Sequence, residues 1–238
     1  MMEENQTPFS AKEAKFDAYA KDYERLHGNS ITASGEQPAY FADYKVECIE
    51  RLVGSGYDEP ILDYGCGVGS LTERLIRRFS RVSGFDPSAT SVAEARERAP
   101  TATFFADREA IPRNHFGVIV LANVLHHVPP TERLALVSSL ALCLQPEKGR
   151  LIVFEHNPYN PLTRRAVATC EFDDDAILLG PVELTRLLSR SGLVEARRKF
   201  IVFFPRALSG LRGLEPHLGW MPIGAQVMAH ATAPSRRE

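Results

Sequence analysis

What this chain lacks narrows it first. Only four cysteines occur in 238 residues (Cys48, Cys66, Cys143 and Cys170), and none forms a C-x-x-C pair. That spacing offers neither a zinc site nor a disulfide framework, and it fits reduced thiols in a cytoplasmic protein. Positive charge is not in excess: the formal net charge is −2 and the pI is about 6.4. Nucleic acid would find no general attraction to such a chain. No apolar stretch approaches the length of a membrane span, so no stable membrane association is expected. The start, Met-Met-Glu-Glu-Asn-Gln, lacks the basic and apolar regions of a secretory signal. What remains is an ordinary globular composition, long enough for one sizeable α/β domain with a buried core.

The most informative segment runs from Ile61 to Thr72, Ile-Leu-Asp-Tyr-Gly-Cys-Gly-Val-Gly-Ser-Leu-Thr. An apolar run ends in Asp63, Gly65, Gly67 and Gly69 alternate, and a helix-period pattern follows at Leu71, Leu75, Ile76 and Phe79. Strand, glycine turn and helix in this order present backbone amides and a helix N-terminus to a ligand. A pyrophosphate-binding turn reads G-x-G-x-x-G. Here the last glycine is missing: that slot falls on Ser70 counted from Gly65 and on Thr72 counted from Gly67. G-x-G-x-G with a preceding acid suits a nucleoside carrying an amino acid better than one carrying a diphosphate.

Strand-like and helix-like segments alternate from Pro60 onward. Strands are predicted at Pro60–Tyr64, Val82–Phe85, Thr103–Phe105, Val118–Leu121 and Gly149–Phe154, with helices at Ser70–Phe79, Ser88–Arg98 and Thr131–Leu144. This alternation implies an α/β, doubly wound, mostly parallel sheet. Pro181–Gly192 reads as an amphipathic helix. Two late strand candidates, Val194–Phe204 and Ala225–Ala231, suggest an antiparallel closing pair at the sheet edge. Ahead of the sheet, Phe16, Tyr19, Ala20 and Tyr23 share one helix face, and Tyr40, Phe41 and Tyr44 share another. Residues 1–45 are therefore expected to form a helical lid, 46–232 the main domain and 233–238 a disordered tail; packing of the aromatics on the core is the other reading of the lid.

Open α/β sheets bind ligands beyond the carboxyl ends of their strands. The predicted strands end in Asp63 with the glycine turn, Asp86, Asp107, Asn123 and Glu155, which puts a polar group from each on one rim. Asp86 stands 21 residues beyond Gly65, the place of the acid that accepts from a ribose diol. It could instead cap the helix near Ser88. Asp107 could accept from an exocyclic amine of adenine, with the Arg108 amide reaching the ring, or simply stabilise a turn.

Together these stretches (Ile61–Thr72, Gly84-Phe85-Asp86, Ala106-Asp107 and Val118–Val128) resemble successive motifs of the class I S-adenosylmethionine-dependent methyltransferases, nearest the ubiquinone/menaquinone-biosynthesis-like small-molecule branch. Phe16–Ala20 and Tyr23 resemble that branch's cofactor-covering helix. The resemblance implies a seven-stranded Rossmann-like sheet with S-adenosylmethionine across the first four strand ends. It implies contacts to the methionyl part from Asp63, Gly65, Cys66, Gly67 and Gly69, and from the main chain near Asn123. Asp86 with Pro87 would hold the ribose, Asp107 with Arg108 the adenine, and Tyr19 and Tyr23 would cover the cofactor.

Methyl transfer from a sulfonium requires orientation above all. A base helps only an acceptor that must lose a proton. His126-His127 follows the fourth strand and Glu155-His156 the fifth. His127 is the favoured base, His156 the second, with Glu155 beside it; transfer by positioning alone is the competing reading. Adjacent histidines are expected to point apart, so that one at most faces the substrate. Asn157-Pro158-Tyr159 is similar to an amino-methylating motif but follows the wrong strand. The acids Glu171, Asp173, Asp174 and Asp175 read as a solvated helix entry rather than a cation site, and no metal is expected. The expected activity is methyl transfer to oxygen, carbon or nitrogen of a small, planar or hydrophobic acceptor. The alternatives are an NAD-dependent oxidoreductase on the same scaffold and a non-catalytic S-adenosylmethionine-binding protein. No residue pattern speaks for a particular oligomeric state.

Overall fold

The computed structural model describes residues 28 and 30–235. The aromatic face at Phe16–Tyr23, with Tyr19 and Tyr23, and the last residues, 236–238, lie outside this range.

Seven strands form one sheet in the order β3-β2-β1-β4-β5-β7-β6. They are β1 (Ile61–Tyr64), β2 (Val82–Phe85), β3 (Thr103–Phe105), β4 (Val118–Ala122), β5 (Arg150–His156), β6 (Val194–Ile201) and β7 (Gln226–Thr232). The first five are parallel, and β7 runs antiparallel to both β5 and β6. The late pair is thus antiparallel, with β6 outermost and the last strand inserted between it and β5. Strand order reverses between β1 and β4, where an open α/β sheet leaves its crevice.

Side chains alternate across each strand, so each apolar run serves two layers. Leu62, Ile119, Leu121, Leu151 and Val153 face one core, where α4 (Arg133–Ala141) and α6 (Pro181–Arg190) contribute Val137, Leu140, Leu184 and Leu188. Ile61, Val118, Val120, Ile152 and Phe154 face the other, beneath α1 (Pro38–Val53) and α2 (Ser70–Leu75). Helix starts obey local chemistry. Pro38 and Pro181 occupy first turns, where a missing N–H costs nothing. Ser88 caps α3 (Ala89–Arg98) by accepting from the Ser91 amide at 3.0 Å, and Asn160 caps α5 (Pro161–Ala168).

Several boundaries differ from expectation. The helix predicted to reach Phe79 ends at Leu75, because the amides of Arg77 and Arg78 bond back to Arg74 and Leu75 in tighter turns. The helix predicted over Thr131–Leu144 is α4, a shorter element. Strand β6 stops at Ile201 rather than Phe204, since Val202 takes φ +59 and turns the chain away; for a β-branched residue that is a strained conformation. α1 crosses the expected boundary at residue 45 without a break. Ala233 is buried and its amide donates to Gly149 at 2.8 Å, so the tail's first residue is held against the domain.

Register levels the rim. Asp63 pairs with Gly84 and Val120, Tyr64 with Phe85 and Leu121, and Ala122 with Phe154. The residues that follow, Gly65, Asp86 and Asn123, therefore emerge side by side.

Candidate active site

A cavity of about 250 Å³ opens above this rim, between the strand ends and α1. Its floor is the glycine turn. Gly65 donates its amide to the Phe85 carbonyl at 2.7 Å, stitching the turn to β2. Gly67 has φ +52, and a Cβ built there would meet nothing within 4 Å, so this stretch of main chain lies bare toward the cavity. Its amide donates to Asp86 Oδ2 at 2.9 Å, while Asp86 Oδ1 accepts from the Ser88 amide at 2.9 Å. The Asp86 carboxylate is thereby fixed against the glycine bend and lines the cavity beside Pro87. The residue that caps α3 is Ser88, not Asp86.

Asp63 lies below the turn, wholly buried, with Oδ2 accepting from the Thr72 hydroxyl at 2.7 Å. Burial pushes its pKa up to about 7, against the pull of that hydroxyl. Beside it is Lys45 of α1, also buried and lining the cavity; burial lowers its pKa to about 8 although Cys48, Glu155 and Asp63 oppose that. Asn123 sits at φ +59, a left-handed conformation that Asn tolerates better than most residues. Its side-chain Oδ1 is buried at the cavity wall without a hydrogen-bond partner.

The far side holds the histidines. His126 is buried, with Nδ1 2.6 Å from Glu155 Oε2 and Nε2 3.5 Å from Asp173 Oδ1. Burial would lower its pKa, but Glu155 and Asp173 outweigh that and hold it up at about 9. His127 Nε2 is 3.3 Å from the same Asp173 oxygen; burial nevertheless keeps its pKa below the usual imidazole value. His156 lies 5.1 Å from His126 between ring centres, and burial with the neighbouring charge brings its pKa down to about 3. Burial works against ionisation of Asp173, yet the two histidines hold its carboxyl far below the ordinary range.

Several expectations are corrected by this arrangement. Both adjacent histidines line the cavity: their short 3-10 turn (Leu125–His127) brings the ring centres within 4.1 Å, tilted at 51°, instead of splaying them. Asp173 does not face water. It is buried against the histidines, which a run of acids in the sequence concealed. Glu155 points inward: Oε1 accepts from the Leu125 amide at 2.7 Å and Oε2 from His126, so it positions that loop without reaching the cavity. Gly69 is a packing residue, since a Cβ there would stand 2.8 Å from Ala95 of α3. Asp107 and Arg108 lie off the cavity, and the Arg108 guanidinium donates to Ser139 at 2.7 Å. Of the other expected residues, Cys66 lines the cavity. Lys45 went unpredicted; nothing in its helical spacing sets it apart from a surface lysine.

α1 closes the cavity with Phe41, Ala42 and Lys45. It is tied down at a distance: Tyr44 donates to Glu215 at 2.5 Å, Arg212 pairs with Glu36, and the Arg212 guanidinium stacks 4.3 Å over the Tyr40 ring.

Comparison with known proteins meets this geometry. The family described as a methyltransferase domain matches residues 61–147, the span from β1 through α4. The ubiquinone biosynthesis O-methyltransferase of Rhodopseudomonas palustris (strain TIE-1) is 30% identical over 177 residues, covering 68% of this chain and 66% of that enzyme. The chain thus spans just under two thirds of the length of that curated relative. The trans-aconitate 2-methyltransferase of Afipia carboxidovorans is 42% identical over 72 residues, or 29% of this chain and 22% of that one. Among solved structures, a SAM-dependent methyltransferase and possible histamine N-methyltransferase from Thermotoga maritima superposes with a TM-score of 0.67 at 18% identity, covering 93% of this chain and 99% of that one. A SAM-dependent methyltransferase from Archaeoglobus fulgidus gives 0.65 at 11%, over 82% and 95%.

Residues 61–147 form a methyltransferase domain, set in the fold of the S-adenosylmethionine-dependent methyltransferases.

For a class I methyltransferase the residues present fit the cofactor. The bare main chain at Gly67 admits a ligand that any side chain would crowd. Asp86 is held where its two oxygens suit a ribose diol. The unpartnered Asn123 Oδ1 and the buried Lys45 give polar ends that an amino-acid moiety can satisfy, since a buried polar atom without a partner is costly. A pyrophosphate turn does not fit as well: Ser70 occupies the third-glycine slot and begins α2, whose close approach to α3 is made at Gly69 instead.

Proposed function

We propose that this chain transfers the methyl group of S-adenosylmethionine to a small organic acceptor. Oxygen is the favoured acceptor atom, with nitrogen and carbon next, because relatives at the 30% identity level are named for O-methylation. The observation that carries this reading is the Asp86 carboxylate, clamped to the Gly67 amide on the lip of the cavity. When bound, the cofactor supplies an electrophilic methyl group on a sulfonium.

The residues then divide the work. Asp86 and the turn from Gly65 to Gly67 hold the nucleoside, and Asp63, Asn123 and Lys45 surround the amino-acid end. α1 roofs the cavity with Phe41 and keeps water from the reacting atoms. His127 takes the acceptor proton, its ring held by Asp173. His156 is far too weak a base at its lowered pKa and serves as a neutral wall of the acceptor pocket. Glu155 fixes His126 and the Leu125 amide, so the loop carrying both histidines keeps its place. The chain works without nucleic acid, and its four buried free cysteines accord with a cytoplasmic setting. No helix of the described residues is long and apolar enough to cross a membrane.

The test is a methyl-transfer screen with radiolabelled donor against phenols, carboxylic acids and amines of low molecular mass. Transfer to at least one class, stopped by S-adenosylhomocysteine, is expected. Failure of S-adenosylhomocysteine to bind at all would overturn the reading.

A further inference from the structure

His126, His156 and Asp173 come from three separate segments: the turn after β4, the end of β5 and the short 3-10 turn Glu171–Asp173 after α5. A ring nitrogen of each histidine and a carboxylate oxygen of Asp173 all lie within 4.8 Å of one another. All three residues line the cavity. We propose that this trio binds a divalent first-row transition metal ion, zinc, manganese or iron(II), on the acceptor side of the cavity.

The donor set has the right chemistry. Two imidazoles and one carboxylate form a borderline-hard site that suits zinc and ferrous iron, and three protein ligands leave coordination positions open. Ligand atoms 2.0–2.2 Å from a tetrahedral ion stand roughly 3.3–3.6 Å apart, a spacing that His126 Nε2 and Asp173 Oδ1 already have at 3.5 Å. Asp173 Oδ1 is buried, accepts no hydrogen bond of good geometry, and is aimed at His126 Nε2. In the free chain the charged His126 turns its Nε2–H toward that oxygen. A divalent cation between the two takes the place of this proton, as metal binding to imidazole does.

The surroundings supply what a metal-bound histidine ordinarily has. His126 Nδ1 lies 2.6 Å from Glu155 Oε2, and Glu155 is itself fixed by the Leu125 amide at 2.7 Å. A carboxylate behind a ligating imidazole sets its tautomer and strengthens it as a donor. The open coordination positions face the cavity, where a hydroxyl or carboxylate oxygen of the methyl acceptor completes the shell. The metal site stands on its own geometry; only this role for the acceptor rests on the methyl-transfer reading.

The experiment uses the full chain, stripped with chelator and titrated with Co²⁺ and then Zn²⁺ in the absence of any other ligand. One Co²⁺ per chain is expected, with visible ligand-field bands, no thiolate charge-transfer band, and displacement by Zn²⁺. Asp173→Asn and His156→Gln should each weaken uptake by at least about a hundredfold, and Glu155→Gln by about tenfold to a hundredfold, with far-UV circular dichroism unchanged. Absence of ligand-field bands at millimolar Co²⁺ would overturn the site, as would uptake unaffected by both ligand variants or a charge-transfer band marking a cysteine ligand. If a variant does not fold, the wild-type stoichiometry and spectrum decide. Binding of S-adenosylhomocysteine to the stripped chain is followed in parallel by calorimetry. That binding without metal uptake sinks the metal site alone, and metal uptake without that binding sinks the methyl-transfer reading alone.

Discussion

The two sides of the cavity are built by different means. On the donor side the binding surface is mostly main chain: the Gly65–Gly67 bend, the end of β4 at Asn123, and one carboxylate clamped by two amides. On the acceptor side it is side chains brought from distant segments, His126 and His127 on one turn, His156 on a strand end and Asp173 beyond α5. A surface of backbone and glycine suits one invariant ligand. A surface of interchangeable side chains can change its acceptor while the sheet stays the same.

The largest expected effect breaks the donor side alone. Asp86→Ala removes an acceptor for two ribose hydroxyls, and charge-assisted hydrogen bonds contribute about 1.5–3 kcal/mol each. S-adenosylhomocysteine affinity should fall on the order of a thousandfold by calorimetry, with the fold retained. His127→Ala breaks the other side. Cofactor affinity should stay within about twofold, while kcat on a hydroxyl acceptor drops on the order of a hundredfold, the usual worth of a positioned base. An unchanged kcat would leave positioning alone as the source of rate.

Two glycines sharpen the comparison between binding and packing. Gly69→Ala drives a methyl into Ala95 at a φ of +81, and the cost should be about 2–3 kcal/mol of stability, read as a lowered denaturation midpoint. Gly67→Ala has room for its methyl and should cost only about 1 kcal/mol, yet it should weaken S-adenosylhomocysteine more than Gly69→Ala does. The reverse order would mean that the turn is a packing device.

An effect of similar small size concerns Lys45, which lines the cavity from α1. Its pKa falls on folding to about 8 from 10.5 because burial disfavours the ammonium. The native state is therefore relatively most stable above pH 10.5, where the amine is neutral folded or unfolded, and loses that advantage as pH falls through 8. Lys45→Met should thus stabilise the ligand-free chain by about 1–2 kcal/mol at pH 7, with the gain shrinking above pH 10 in denaturant titrations. A gain independent of pH would mean that the lysine is not buried as an ammonium.

The same contrast explains what could be read in advance. The donor side was legible because its signals are local: three alternating glycines after an apolar run, and Asp86 one strand later at the spacing of a ribose acid. Strand alternation likewise gave five parallel strands and the late antiparallel pair. The acceptor side depends on contacts between remote segments. Asp173 looked like one of several solvated acids because nothing near it in the chain reveals that His126 and His127 lie above it. Glu155 was placed on the right strand, but whether its carboxylate turns inward depends on the Leu125 amide across the sheet. Lys45 sits in an amphipathic helix whose pattern allows a lysine almost anywhere, and only the packing of α1 over β1 buries it. Asp107 and Arg108 had the right position along the chain. Neither lines the cavity, and the Arg108 guanidinium donates to Ser139 on α4.

The central claim is that the nucleoside lies across the ends of β1, β2 and β4 with its sugar on Asp86. A crystal structure of the chain with S-adenosylhomocysteine tests this most directly. It should show both ribose hydroxyls on the Asp86 carboxylate, the main chain of Gly65–Gly67 against the ligand, and the thioether sulfur directed toward the histidine side. A nucleoside bound elsewhere, or a ribose without contact to Asp86, would contradict it.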